Sequence, residues 1–242
     1  MTTSAAAMEA ARERLIVALD VPTQAEALAL AARLGGSCRW FKVGLELFVA
    51  AGPGVVEALA GRGYSVFLDL KLHDIPNTVA SAVRSAGGLG AKMLTIHASG
   101  GPAMLTAARE AAAGLVSAPE LLAVTVLTSM NQEQVRAVGV ERSPAEQVSL
   151  LAAMGLAAGI RGFVCSPQEV KTLRGMTGPT GVLVIPGIRP AGAAVGDQQR
   201  IATPATALAD GASSLVVGRP ITQAADPVAA TQAILAEMAG AL

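Results

Sequence analysis

A (β/α)8 TIM barrel, an α/β fold, is predicted by three features of this 242-residue sequence. Eight short apolar runs recur at fairly even intervals, stretches with helical periodicity lie between most of them, and polar residues gather at the C-terminal ends of the runs. Near-continuous apolar strands alternating with helices imply a parallel sheet covered on both faces, and eight such units in about 250 residues is the usual size of a TIM barrel.

The runs are LIVALD (15–20), WFKVG (40–44), SVFLDLKL (65–72), MLTIHA (93–98), LLAVTVLT (121–128), GFVCS (162–166), GVLVIPGI (181–188) and SLVVGR (214–219). Ala/Leu-rich stretches at 24–34, 55–60, 102–113, 144–158 and 227–239 carry the helical period. An open, doubly wound sheet is the rival architecture. It usually carries a Gly-rich dinucleotide turn after its first strand, and here the first strand runs into LDVPT with no G-x-G-x-x-G. Pro and Gly are scattered through the turns rather than gathered in a linker. The expected organisation is therefore an N-terminal extension over 1–12, frayed or helical, and a single catalytic domain over 13–242.

Composition narrows the function classes. The chain is 52% hydrophobic and 15% charged, enough to bury a sizeable core. Eighteen basic residues balance eighteen acidic ones, so there is no general attraction to nucleic acid or to an anionic membrane. No run approaches the ~18 uninterrupted apolar residues of a membrane span. Cys38 and Cys165 are far apart and outside any Cys-x-x-Cys, as expected of reduced thiols in a cytoplasmic protein. The first residues lack the long apolar core of a signal peptide.

The segment FLDLKLHDIPNT (67–78) carries the chemistry. Strand alternation places Asp69 and Lys71 side by side, opposite Leu68 and Leu70. Asp74 falls past the strand end, just before Pro76, which has no N–H for a ladder. The other strands end in Asp20, Lys42, His97, Thr128, Ser166, Ile188/Arg189 and Gly218/Arg219. Each has a bland alternative: Asp20 as a helix cap, Lys42 as a snorkelling side chain, His97 as a core histidine. Their shared address at a barrel mouth, where such folds do chemistry, favours an active site.

PGIRP (186–190) and VGRP (217–220), at strands seven and eight, suggest a phosphate site. Glycine lets backbone N–H groups approach an anion, and arginine engages two oxygens at once. The stretch AGAAVGDQQR (191–200) between them has the small-residue composition of a lid. Asp69, His73, Asp74 and His97 could in principle ligate a metal. Lys42 and Lys71 already supply positive charge to the same cluster and would repel a divalent ion, so a catalytic metal is not expected.

The chain resembles the orotidine 5′-phosphate decarboxylase family over nearly its whole length after the extension. ALDVPT (18–23), FKVGLEL (41–47), FLDLKLHDIPNTV (67–79), TIHASGG (95–101), LTSM (127–130), CSPQE (165–169), PGIRP, GDQQR (196–200) and VVGRPIT (216–222) carry the resemblance in order and spacing. It implies conversion of orotidine 5′-phosphate to UMP and CO2 on a TIM barrel, without cofactor, by a homodimer. Lys42, Asp69, Lys71 and Asp74 match the family's alternating Lys-Asp-Lys-Asp network, with Lys71 as proton donor to pyrimidine C6. Asp74 and Thr78 match residues that reach into the neighbouring subunit's site. Asp20 and Lys42 match contacts to the ribose hydroxyls, Thr128 a contact to the pyrimidine, and Pro186 the border of the ring. Arg189, Gln198, Gly218 and Arg219 match the phosphate clamp, with Gln198 bridging phosphate and base.

The chemistry fits these residue types. Loss of CO2 from an sp2 ring carbon leaves negative charge there, and the protein must supply preorganised positive charge and a proton. Flanking carboxylates favour the ammonium form of a lysine that does both. Two rivals differ testably. Mg2+-dependent sugar-phosphate decarboxylases and hexulose-phosphate synthases share Asp-x-Lys-x-x-Asp but carry an acid where this chain has Lys42. A catalytically inert nucleotide-binding barrel would need only the arginine clamp.

Overall fold

In a computed structural model, which describes residues 4–190 and 200–242, eight parallel strands close into a barrel in sequence order. They are β1 Leu15–Ala18, β2 Trp40–Gly44, β3 Ser65–Leu72, β4 Met93–His97, β5 Glu120–Val124, β6 Gly162–Val164, β7 Val182–Ile185 and β8 Ser214–Val217, with β8 pairing back onto β1. The TIM barrel expected from the sequence is the fold observed. The periodic stretches become the helices Gln24–Leu34, Gly54–Ala60, Gly101–Ala113, Pro144–Ala157 and Pro227–Ala239. Local chemistry starts several of them. Thr23 accepts from the Glu26 N–H, Ser143 and Glu146 form a reciprocal capping box, and Asp226 accepts from two N–H groups of its helix.

Several strands stop earlier than their apolar runs. β7 ends at Ile185 because Pro186 offers no N–H to the ladder. β5 keeps its residue pairing with β6 only as far as Val124 opposite Val164. The run beyond stays apolar because Val126 is buried at the mouth. β8 gives way at Gly218 to a short helical turn, Arg219–Thr222.

Strand alternation builds two apolar layers. Ile16, Ala18, Phe67, Met93, Leu122, Val184 and Val216 fill the barrel interior. Leu15, Val17, Phe41, Val43, Leu68, Leu94 and Ile96, among others, face the surrounding helices. At roughly 1.5–3 kcal/mol for each fully buried large aliphatic or Phe side chain, these layers are the main stabilising term. The interior rows also place the site. Two residues above Trp40 stands Lys42, two above Phe67 stands Asp69, and two above Met93 stands Thr95. The same face that is apolar low in the barrel is thus charged and polar at the top.

Residues Ala5–Arg14 form a helix capped by Ser4 and packed on the last helix, with Ala11 fully buried. Arg39, just before β2, pairs with Glu9 and Glu13 of that helix. Among the described residues, no helix is long and apolar enough to cross a membrane.

Near the starts of β7 and β8, half-buried Arg174 braces two loops. Its guanidinium donates to the carbonyls of Gly178 and Gly181 at 2.7 Å, to that of Gly211 through two nitrogens, and to Ser213 Oγ at 2.9 Å. Lysine has neither the fork nor the number of donors. Arg174→Lys is expected to lower stability by about 2–4 kcal/mol, since several carbonyls lose a charged donor. Urea unfolding checks this, and a loss under about 0.5 kcal/mol would show that the brace is replaceable.

Candidate active site

Four side chains of alternating charge meet at the C-terminal end of the barrel. Asp20 follows β1, Lys42 lies on β2, and Asp69 and Lys71 end β3. Lys42 Nζ donates to Asp20 Oδ1 at 2.9 Å and lies 3.9 Å from Asp69 Oδ2, which accepts from Lys71 Nζ at 2.8 Å. The side chains of Lys42 and Asp69 are only 11% and 13% exposed, so each charge is answered mainly by its neighbours rather than by water. Gly44, opposite Asp69 in the ladder, makes room for this: a Cβ there would sit 2.7 Å from Lys42 Nζ.

Lys71 is held in an unusual way. Between the pairs Leu68–Leu94 and Leu72–Ile96, residues 69–71 of β3 face only Thr95 of β4. This is a bulge, a device that re-aims side chains near active sites. Lys71 takes φ 51°, the only positive φ at a non-glycine position among the described residues. That backbone costs a residue with a Cβ roughly 1–2 kcal/mol. Thr95 compensates: its hydroxyl accepts from the Lys71 N–H at 2.8 Å and donates to Asp69 Oδ1 at 3.0 Å. One fully buried hydroxyl therefore sets the backbone of one charged residue and the carboxylate of the other. Sequence reasoning passed over Thr95. The available signal was a lone hydroxyl on the inward face of MLTIH, in line with Met93 and His97. Thr95→Val keeps the shape and removes both bonds. It is expected to cost about 1–3 kcal/mol of stability and, through misplacement of Lys71, about 100-fold in kcat. Thermal melts and steady-state rates check both, and an unchanged kcat would refute the positioning effect.

Asp74 and Thr78 do not join the array within one chain. Asp74 Oδ1 accepts from the Ile75 N–H at 2.6 Å at an exposed position. With Thr78, it lines a separate surface pocket that also touches Lys71 and His73. His73 stacks near His97, ring centroids 5.4 Å apart. Burial, then His73 and Lys71, push the His97 pKa below its usual value, which favours a neutral ring beside the array.

Lys42, Asp69 and Lys71 of the array line a cavity of about 250 Å3. Val124, Val126, Val164 and Val216 supply its apolar part, and Thr128 and Pro186 also line it. A larger open groove of about 700 Å3 runs past Asn131, Glu146 and Gln168, and no member of the array lines it. Arg189 is buried after β7, its N–H bonded to the Ala202 carbonyl at 2.9 Å. The preceding Gly187, at φ 77°, makes the turn that a side chain would strain. Gly218 and the exposed Arg219 follow β8. Gln198, with the rest of 191–199, lies outside the described residues. Among the described residues, no group of three or more His, Cys, Asp or Glu side chains is placed to hold a metal ion.

Comparison with known proteins identifies the family. The model of the family described as Orotidine 5'-phosphate decarboxylase / HUMPS family matches residues 13–234. The chain is 53% identical to the orotidine 5'-phosphate decarboxylase of Moorella thermoacetica, covering 94% of this chain and 93% of that one. It is 54% identical to that of Halorhodospira halophila, covering 94% and 97%. Among solved structures, the orotidine 5'-phosphate decarboxylase of Lactobacillus acidophilus superposes with a TM-score of 0.82 at 41% identity, covering 93% of this chain and 98% of the other. With the match extending through every strand of the barrel, this chain belongs to the orotidine 5'-phosphate decarboxylase / HUMPS family.

Proposed function

We propose that this protein decarboxylates orotidine 5′-phosphate to UMP and CO2, with Lys71 protonating C6. The observation that carries this is Lys42, Asp69 and Lys71, with Asp20 paired to Lys42, lining a cavity whose remaining lining includes several valines. The pyrimidine lies between Thr128 and Pro186, with Asp20 and Lys42 on the ribose hydroxyls. Its carboxylate sits near Asp69 and its C6 near Lys71. When the C–C bond breaks, the electron pair stays on C6, CO2 leaves, and the ammonium of Lys71 transfers a proton to that carbon. Solvent then reprotonates the amine. The charges that stabilise the carbanion are in place before the reaction, so no reorganisation is required at that moment.

Arg189, Gly218 and Arg219 take the phosphate, together with Gln198. The phosphate is remote from the bond that breaks, and its binding energy serves to hold the ring in register with Lys71. Arg219→Ala is expected to lower kcat/KM for orotidine 5′-phosphate about 10–100-fold, the worth of a charged hydrogen bond. A much smaller loss is expected on orotidine, which lacks the phosphate. Equal losses on both substrates would count against the assignment. The working unit is a homodimer in which Asp74 and Thr78 complete the partner's site. In support, both side chains lie beside Lys71 yet outside their own chain's cavity.

Substrate choice tests the activity. Offered orotidine 5′-phosphate and a hexulose 6-phosphate in parallel, the purified protein is expected to turn over only the first. Metal-dependent turnover of the sugar phosphate alone would move the assignment to the other branch of the family. UMP binding without turnover of either substrate would indicate an inert barrel.

A further inference from the structure

Arg200 and Glu169 form an ion pair that the array and the phosphate site leave unused. Each residue is only 5% exposed. Burying two charges opposes folding unless their other hydrogen bonds are made. Here most of them are. One carboxylate oxygen of Glu169 accepts from Arg200 Nη1. The other accepts from the Ser166 hydroxyl and, at 3.1 Å, from the Ser166 N–H. The second arm of Arg200, Nη2, donates to the carbonyls of Val126 at 3.2 Å and Leu127 at 3.0 Å. Those carbonyls lie beyond the end of β5, past the last β5–β6 residue pair, and immediately precede Thr128. A single guanidinium thus ties the turn after β6 to the loop after β5, next to Thr128, which lines the same cavity as Lys42, Asp69 and Lys71.

We infer that Arg200 is a positioning residue that sets Thr128 against the pyrimidine, and so governs recognition of the base rather than of the phosphate. The inference rests on the reading of orotidine 5′-phosphate as substrate. A brace that merely held the fold together would not distinguish one part of the nucleotide from another.

Arg200→Lys separates the two roles. Lysine can still pair with Glu169, but its single ammonium cannot reproduce the fork to the carboxylate and both carbonyls. The expected result is a loss of about 10–100-fold in UMP affinity and in kcat/KM for orotidine 5′-phosphate, with ribose 5-phosphate affinity unchanged. In a Thr128→Ala background the same change should cost little more, because the hydroxyl it positions is gone. Should Arg200→Lys fail to fold, Arg200→Met combined with Glu169→Leu removes the pair without stranding a charge, and the same ratios apply. Equal weakening of UMP and ribose 5-phosphate, or full additivity with Thr128→Ala, would overturn the inference. Wild-type turnover, measured in the same series, keeps the two claims apart. Its absence sinks the substrate assignment, whereas its presence with unaltered UMP affinity in Arg200→Lys sinks this inference alone.

Discussion

Replacing Lys71 by alanine is expected to abolish turnover while leaving UMP binding measurable. The variant removes the proton donor, worth about 10²–10⁴-fold in general acid catalysis. It also removes the nearest preorganised positive charge, worth a further factor of about 10²–10³. The combined loss is on the order of 10⁴–10⁷-fold in kcat. UMP has a proton at C6 and no carboxylate, so it needs neither contribution to bind. Binding titration and a sensitive product assay check the split. Turnover within about tenfold of wild type would remove Lys71 from its assigned role. The fold should survive, because the bond that the backbone N–H of residue 71 donates to the Thr95 hydroxyl does not involve the side chain.

Asp74→Ala and Lys71→Ala, each inactive alone, are expected to regain activity when mixed. If Asp74 serves the neighbouring subunit, a mixed dimer pairs an intact Lys71 from one chain with an intact Asp74 from the other. In a two-fold symmetric dimer that restores one of two sites, and random exchange of equal amounts makes half the dimers mixed. Recovery should therefore approach roughly a quarter of wild-type activity. No recovery, despite subunit exchange verified by mass, would place Asp74 and Lys71 in the same chain's site.

Much of the site was legible in the sequence because side-chain alternation is a strict period. Asp69 and Lys71 had to share a face, and the ends of parallel strands had to share one end of the barrel. The bulge was not legible. A left-handed backbone usually announces itself through glycine, and here the residue is Lys71, whose conformation is fixed by a hydroxyl from the next strand. Thr95 could be recognised only once the β3–β4 register was known. The same holds for Gly44, which gives space to Lys42 rather than shaping a turn. Asp20 read as a cap or a ribose contact. It also pairs with Lys42, so within one chain the alternation runs Asp20–Lys42–Asp69–Lys71. Strand ends were overestimated for a related reason. Apolar runs such as LLAVTVLT continue into the mouth, where Val126 is buried without being part of a strand.

The central claim is that this array performs the decarboxylation with its own charges. The most direct test is the rate at which EDTA-treated wild-type protein consumes orotidine 5′-phosphate, read from the fall in absorbance with UMP and CO2 quantified together. The predicted result is undiminished turnover yielding one UMP and one CO2 per substrate. Tight binding of UMP with no release of CO2, or turnover that stops on chelation and returns with Mg2+, would contradict it.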